Sequence, residues 1–401
     1  MRIAIIHQRM DVKGGAENVN IWLADGLRRR GHRVTLFAER FAPELWPAAM
    51  TEGLDMRPVG PAVARLVNSR GWRSFFYTRS LARSLADYDV VLAQHFPTYV
   101  WATAARERAG GAWRVVWLCQ EPFRMMYPTV TDRHLLEWRE HTPAGVANDH
   151  LAATADALRS RLERRRCKLA RDRRWDLEGA RRCDHILCNS DFTAANVREV
   201  FGLRANVCRP GAPMPSEQDH CPGDYVAVLT SLSPKKNVQN VLRAVRELAN
   251  QGASDIRLKV AGGGKGRPLL GALAADLGLG AQVEFLGPLS DEELPEYYRR
   301  ARVVVYCPID EPFGLVPVEA LAMKTPVVVS DHGGPAEVVE DGRTGLHANP
   351  FDPADIARAI QALWRDPAAA RAMGEEGCRR VRREYSLDAF LDRFEALVIG
   401  H

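Results

Sequence analysis

No apolar run in this sequence approaches the ~20 residues that a bilayer-spanning helix needs, so no membrane-crossing segment is expected. The opening stretch, Met1-Arg2-Ile3-Ala4-Ile5-Ile6-His7, is too short in its apolar part for a secretory leader and reads as a first strand. Eight cysteines occur, with no C-x-x-C pair and no zinc-ligand spacing. That excludes a zinc ribbon and predicts free, mostly buried thiols in a reducing cytoplasm. G-x-G-x-x-G is missing, which removes the dinucleotide fingerprint. The run Gly262-Gly263-Gly264-Lys265-Gly266 has glycine where a P-loop needs Ser or Thr, which removes the NTPase reading. No D-x-D-type metal motif stands in a suitable loop, and no repeat or low-complexity segment interrupts the chain.

What is present is globular: 46% hydrophobic and 26% charged over 401 residues, enough for two domains. The net charge of +5 is uneven. Residues 1–213 carry 34 Lys and Arg against 23 acids, and the remainder 21 against 27. Much of the excess falls between 159 and 182, where eleven cations crowd a stretch with Leu158, Leu162, Leu169 and Leu177 interspersed. An amphipathic helix fits this pattern. It reads either as a solvated face or as a platform for an anionic membrane surface. Nucleic acid is not expected, since no recognised motif accompanies the charge.

The most informative stretch is Glu311-Pro-Phe-Gly-Leu-Val-Pro-Val-Glu319. Val303 to Tyr306 before it reads as a buried strand, and Ala320 to Met323 after it as a helix packing inward. Gly314 lets the backbone approach a ligand, and Pro317 suits a first helical turn. Free N–H groups at that helix start suit a phosphate, and the two carboxylates suit hydroxyls. A phosphorylated sugar combines both. The blander reading is a surface loop with Glu319 complementing a helix dipole.

The rest alternates strand and helix, as expected for parallel sheets. Arg2 to His7, a turn at Gly14-Gly15, and a helix through Leu27 lead to a strand at Val34 to Phe37. Further strands are predicted at 88–93, ending in Gln94-His95, and at 114–119, ending in Gln120. An aromatic group at Trp72, Phe75, Phe76 and Tyr77 reads as core. Asp184 to Ser190 is a strand and turn, with Ser190 or Asp191 capping the next helix. Pro213 to Tyr225 reads as a linker, and a strand restarts at Tyr225. Lys236 lies in the strand-to-helix loop that follows, where a Lys can neutralise phosphate.

The form E-P-F-G-L-x-x-x-E-A-x-A at 311–322, joined by G-G-P-x-E-V-V and G-x-T-G-L at 333–346, resembles the donor-site signature of the retaining GT-B glycosyltransferases, family four (glycosyl transferases group 1). The resemblance is strong over 225–350, moderate over 1–40 and 184–211, and weak elsewhere. It implies an α/β protein of GT-B architecture, two Rossmann-like domains with a cleft between them. The expected divisions are an acceptor-side domain at 1–212, a linker at 213–224, a nucleotide-sugar domain at 225–385, and a final helix at 386–401 crossing back to the first domain. The implied activity is retaining transfer of a sugar from a nucleoside diphosphate to a hydroxyl acceptor. The acceptor would be a glycan or lipid-linked intermediate of cell-envelope or exopolysaccharide synthesis. The implied setting is cytoplasmic, peripheral at the inner face of the membrane. No catalytic metal and no resident cofactor are expected.

By the same resemblance Glu311 lies by the transferred sugar and Glu319 holds the ribose. Backbone N–H groups around Phe313, Gly314 and Leu315 would face the diphosphate and sugar, with Gly15 lying against the phosphates and Gly287 near the base. Lys236 matches the lysine of an Arg–Lys diphosphate clamp. Two positions depart from the pattern: Ser231 stands where relatives carry the Arg, and Gln120 where many carry a His near the donor sugar. Gln cannot act as a base at neutral pH but can hydrogen-bond a hydroxyl. Lys235 is the nearest other cation to the missing Arg. These departures leave two alternatives: a non-catalytic partner subunit of the same fold, and a sugar-nucleotide epimerase.

Overall fold

The computed structural model describes residues 1–66, 70–136, 166–216 and 218–400. They form two compact units. The first takes residues 1–131, the described part of the chain up to Pro213, and the chain from Leu387; the second takes 132–136 and Met214 to Ser386. Each unit is built on its own parallel sheet.

The first sheet has seven strands: β1 (Arg2–Ile6), β2 (Arg33–Ala38), β3 (Asp55–Pro58), β4 (Val90–Ala93), β5 (Arg114–Cys119), β6 (His185–Cys188) and β7 (Asn206–Val207), ordered β3-β2-β1-β4-β5-β6-β7. The second has six: β8 (Tyr225–Leu229), β9 (Arg257–Ala261), β10 (Val283–Gly287), β11 (Val303–Tyr306), β12 (Val327–Ser330) and β13 (Leu346–Ala348), ordered β10-β9-β8-β11-β12-β13. The central strands are continuous apolar runs because helices cover both faces of a parallel sheet, leaving no solvated side to require alternation. Ile3, Ile5, Val91, Leu92, Val303, Val304 and Val328 are all fully buried. Register is parallel throughout, with Ile3 opposite both Val34 and Val90, and Val304 opposite both Ala227 and Val327. The expected pair of Rossmann-like α/β domains is therefore observed.

Strand order reverses between β1 and β4 in one sheet and between β8 and β11 in the other. At such a reversal the following loops diverge to opposite faces and leave a crevice at the carboxyl ends of the strands. The loops after β1, β4, β8 and β11 are thus where each unit can host chemistry.

The helices follow their apolar spacing. Helix Gly15–Arg29 buries Val19, Leu23 and Leu27. Its Gly26 lies under Leu391 of helix Leu387–Val398, where a Cβ would come within 2.6 Å of the leucine Cδ1. Arg30 fixes the same helix by hydrogen bonds of 2.7 Å to Asp392 and to Glu395. Helix Val238–Asn250 buries Val241, Leu242, Val245 and Leu248. Ser190 caps helix Asp191–Phe201, its Oγ accepting from the Thr193 N–H at 3.0 Å.

One expectation is corrected in part. On helix Arg70–Ser84, Tyr77 is buried, but Trp72 is 63% and Phe75 46% exposed. Tyr77 and Leu81 take the inward positions, and Trp72 and Phe75 fall on the opposite face, where they meet edge-on with centroids 6.0 Å apart. Cys119, Cys183, Cys188, Cys208, Cys221, Cys307 and Cys378 are free thiols. Much of the basic 159–182 stretch lies outside the described residues. Within the described part, Arg173 is exposed and is also tied locally: its Nε donates to the Met126 carbonyl at 2.8 Å and its guanidinium lies 5.3 Å from the Tyr127 ring centre.

Candidate functional site

At the β8/β11 reversal, the loop after β8 delivers Lys236 and the loop after β11 delivers Glu311. The Lys236 Nζ donates to the Glu311 carboxylate at 2.7 Å and lies 3.3 Å from the Tyr306 hydroxyl. Burial alone would lower the lysine pKa, but the Glu311 carboxylate and then Tyr306 outweigh it, and the pKa is pushed up. Burial followed by the Glu311 charge likewise pushes the Tyr306 phenol up. The lysine is therefore a fixed cation across the physiological range.

Its position is set by the residue after it. Asn237 adopts φ 60°, and its side-chain amide donates to the carbonyls of Cys307 at 2.9 Å and Pro350 at 2.7 Å. The β8 loop is thereby pinned to the β11 loop. Lys235 turns elsewhere, its Nζ 2.9 Å from the buried Asp132. The cation next to Lys236 is thus already committed, and Ser231, which is exposed, brings no charge to the arginine position.

Gly314, at φ 86°, precedes helix Leu315–Ala322. A Cβ there would sit 2.7 Å from the Tyr306 ring, so only glycine gives this turn. Phe313 is buried and Leu315 half-buried. Glu319 lies on the same helix and accepts a 2.8 Å hydrogen bond from Tyr298, which is itself buried. Behind the loop lies the Gly333-Gly334 turn. The Gly334 N–H donates to the Glu311 carbonyl at 2.8 Å, and a Cβ on Gly334 would fall 2.2 Å from the Phe313 Cα. These two glycines are the backing of the Glu311 loop. Gly287 ends β10 at φ 81°, and its carbonyl accepts from the Gly262 N–H at 2.7 Å. The glycine run at 262–266 packs on the backbone of Thr230 and Leu232, so it braces the Lys236 loop rather than cradling a P-loop phosphate.

In the first unit, the ends of β1, β4, β5 and β6 bring His7, His95, Gln120 and Asn189 to one edge. His7 and His95 meet edge-on with centroids 5.2 Å apart. Burial and then His95 lower the His7 pKa to about 3, and burial lowers that of His95 to about 4. Both imidazoles are therefore neutral at pH 7, and the 3.8 Å approach of Glu17 to His7 is not a charged pair. Burial raises the Glu17 pKa. Gln120 is held by Asn189, which donates to its backbone carbonyl at 2.9 Å and its Oε1 at 3.1 Å. Among the described residues the buried Gln120 Nε2 has no hydrogen-bond partner, so a donor stands there. Gly15 opens helix Gly15–Arg29 beside this edge.

The structure thus gathers Lys236, Glu311, Phe313, Gly314, Leu315 and Glu319 in one unit, and places Gly15 after β1 and Gln120 at the end of β5 in the other. Sequence reasoning missed Tyr298 and Tyr306, which orient Glu319 and Lys236. Tyr306 ends an ordinary apolar run and Tyr298 sits in a charged helix between Glu296 and Arg299, and neither carries a local signal.

Residues 13–211 match Glycosyltransferase Family 4, and residues 222–380 match Glycosyl transferases group 1. With these two matches in chain order on two Rossmann-like units, the chain belongs to the family-4, group-1 glycosyltransferases of GT-B fold. Among curated relatives, D-inositol 3-phosphate glycosyltransferase of Rhodococcus erythropolis is 30% identical over 242 residues, covering 54% of this chain and 55% of that protein. Human alpha-1,3/1,6-mannosyltransferase is 31% identical over 237 residues, covering 52% and 57%. The chain therefore spans little more than half the length of these relatives. Among solved structures, Anabaena HepE in complex with UDP superposes with a TM-score of 0.75 at 17% identity, covering 100% of both chains. Sucrose-phosphate synthase from Thermosynechococcus elongatus gives 0.73 at 19% identity, covering 99% and 98%.

Proposed function

We propose that this protein transfers a sugar, with retention of anomeric configuration, from a nucleoside-diphosphate-sugar to a hydroxyl acceptor. The observation that carries the reading is the Lys236–Glu311 pair at the β8/β11 reversal, beside a helix start. Lys236 and the N–H groups around Phe313, Gly314 and Leu315 stabilise the leaving diphosphate, an electrostatic role that needs no proton transfer. Glu311 sits by the transferred sugar, and Glu319, oriented by Tyr298, holds the ribose hydroxyls. Gln120, whose amide N–H has no partner among the described residues, offers it to a hydroxyl. Gly287 borders the base and Ser231 the diphosphate. HepE crystallised with UDP and with UDP-glucose supports a nucleotide-sugar donor for this chain as well.

The acceptor is a glycan or lipid-linked intermediate of cell-envelope or exopolysaccharide synthesis, met at the cytoplasmic face of an anionic membrane through the basic stretch. Solved structures of similar fold include the lipopolysaccharide outer core galactosyltransferase WaaB and WaaG, a glycosyltransferase involved in lipopolysaccharide biosynthesis, which favours a cell-envelope acceptor. No helix among the described residues is long and apolar enough to cross a membrane.

The test is turnover with a panel of nucleotide-sugars, read by proton NMR of the product. The proposal expects one donor to be consumed in the presence of an acceptor extract, with the donor's anomeric configuration kept. An inverted product would overturn retention. Conversion of the donor without acceptor would identify an epimerase, and absence of turnover with every donor would favour the non-catalytic subunit.

A further inference from the structure

Beside Glu311, outside the groups assigned above, three metal-ligating side chains converge. Asp310 follows β11, His332 follows β12, and His134 lies in the short stretch 132–136 of the same unit. One ligand atom from each falls within 4.8 Å of the others. His134 Nδ1 is 2.5 Å from the Asp310 Oδ1, and His332 Nε2 is 4.0 Å from the same oxygen. The two imidazoles face each other with centroids 4.4 Å apart.

Three features distinguish this from a surface cluster. Asp310 is completely buried, and its backbone holds φ 50°, a conformation that non-glycine residues rarely adopt. A carboxylate taken out of water needs a cation or several donors. Next, the His332 Nδ1 lies 2.8 Å from the Asp331 carboxylate, which fixes the proton on that nitrogen and leaves the Nε2 lone pair to accept from the Asp310 backbone N–H at 3.4 Å, a long contact that an ion would replace. A carboxylate behind an imidazole is the arrangement that orients histidine ligands to metals. Finally, two imidazoles and one carboxylate are a donor set for zinc-type ions rather than for magnesium or calcium.

We propose that His134, Asp310 and His332 form a binding site for one divalent transition-metal ion of the zinc type, with water completing the coordination. Ligand atoms about 2.0–2.2 Å from a tetrahedral ion stand roughly 3.3 Å apart, so the observed spacings require side-chain shifts on the order of 1 Å. The ion joins three stretches: the loop carrying Glu311, the loop carrying Gly333 and Gly334, and residues 132–136. Its role is to lock the backing of the Glu311 loop. It is separate from the electrostatic role proposed for Lys236.

The test uses the tag-free full chain after chelator treatment. Zn2+ is titrated calorimetrically, and Co2+ is followed by its visible d–d absorption. Wild type is expected to bind one ion per chain with the absorption of a low-symmetry four-coordinate site, and to melt higher with Zn2+ than without. His134→Gln and His332→Gln should each lose the stoichiometric site. Asp331→Asn, an exposed position, should bind about 10–100-fold more weakly while keeping the fold. Lys236→Ala should bind Zn2+ as wild type does, whatever its transfer activity. If wild type binds no more Zn2+ than the His134→Gln/His332→Gln double variant, or if Asp331→Asn binds with unchanged affinity, the proposal is wrong. The first result would leave His134–Asp310 a simple hydrogen-bonded pair.

Discussion

Lys236 reaches Glu311 because Asn237, in a left-handed conformation, staples its loop to Cys307 and Pro350. The lysine is held in place before any ligand arrives, which is what a preorganised leaving-group stabiliser requires. Lys236→Ala is expected to lower kcat by about 10²–10³-fold, with a smaller change in KM, because the charge matters most as the diphosphate departs. Steady-state kinetics with the accepted donor checks this; an unchanged kcat would remove Lys236 from the mechanism. Glu311 and Glu319 stood out in the sequence as candidates through the form E-P-F-G-L-x-x-x-E-A-x-A, whose resemblance to a family signature marks them where spacing alone does not. The tyrosines that orient Glu319 and Lys236 were not: Tyr306 ends an apolar run and looks like core, and Tyr298 lies in a charged helix, so the hydroxyl partner of each shows only in the fold. The commitment of Lys235 to Asp132 spans over a hundred residues and leaves no local trace.

At the scale of elements, the site is two loops braced by glycine. Gly334→Ala would press a methyl group against the Phe313 backbone, which cannot step aside. A cost of about 1–3 kcal/mol and a displaced Glu311 loop are expected, measured by chemical denaturation and donor affinity together. Gly280→Ala, where nothing lies within 4 Å and φ is not positive, is the matched control and should be near neutral. The β1 and β4 ends make a second prediction. His7 is held neutral in the fold with its pKa near 3, while its unfolded value is 6.5. Between those values the unfolded chain binds more protons, so this group contributes stability at neutral pH that is lost as pH falls from 6.5 toward 3. Its share of the slope is up to about 1.4 kcal/mol per pH unit. Asp176, pushed up to about 7 by burial, works in the opposite sense between pH 4 and 7. The informative quantity is therefore the difference in slope between wild type and His7→Gln, which should be shallower in the variant; equal slopes would refute the assignment. The strand runs and the helix periodicity were readable because parallel sheets leave apolar runs. The outward face of helix Arg70–Ser84 was not, because aromatic content does not say which side of a helix meets the sheet.

At the scale of the molecule, two doubly wound units each place their functional loops at a strand-order reversal, and the family matches run through both in chain order. The two-domain α/β plan was visible from the strand–helix alternation and the proline-rich break after Pro213. The reversal points were not, since nothing in the periodicity says which strand lies beside which. The central claim is that the second unit binds a nucleoside diphosphate through Lys236 and the 311–319 loop. Calorimetric titration of wild type, Glu319→Ala and Lys236→Ala with UDP, GDP, ADP and dTDP tests it most directly. One nucleotide should bind wild type and weaken by about 10–100-fold in each variant, the loss expected when a hydrogen bond involving a charged group is removed. No binding by any of the four, or equal binding by wild type and Glu319→Ala, would contradict the claim.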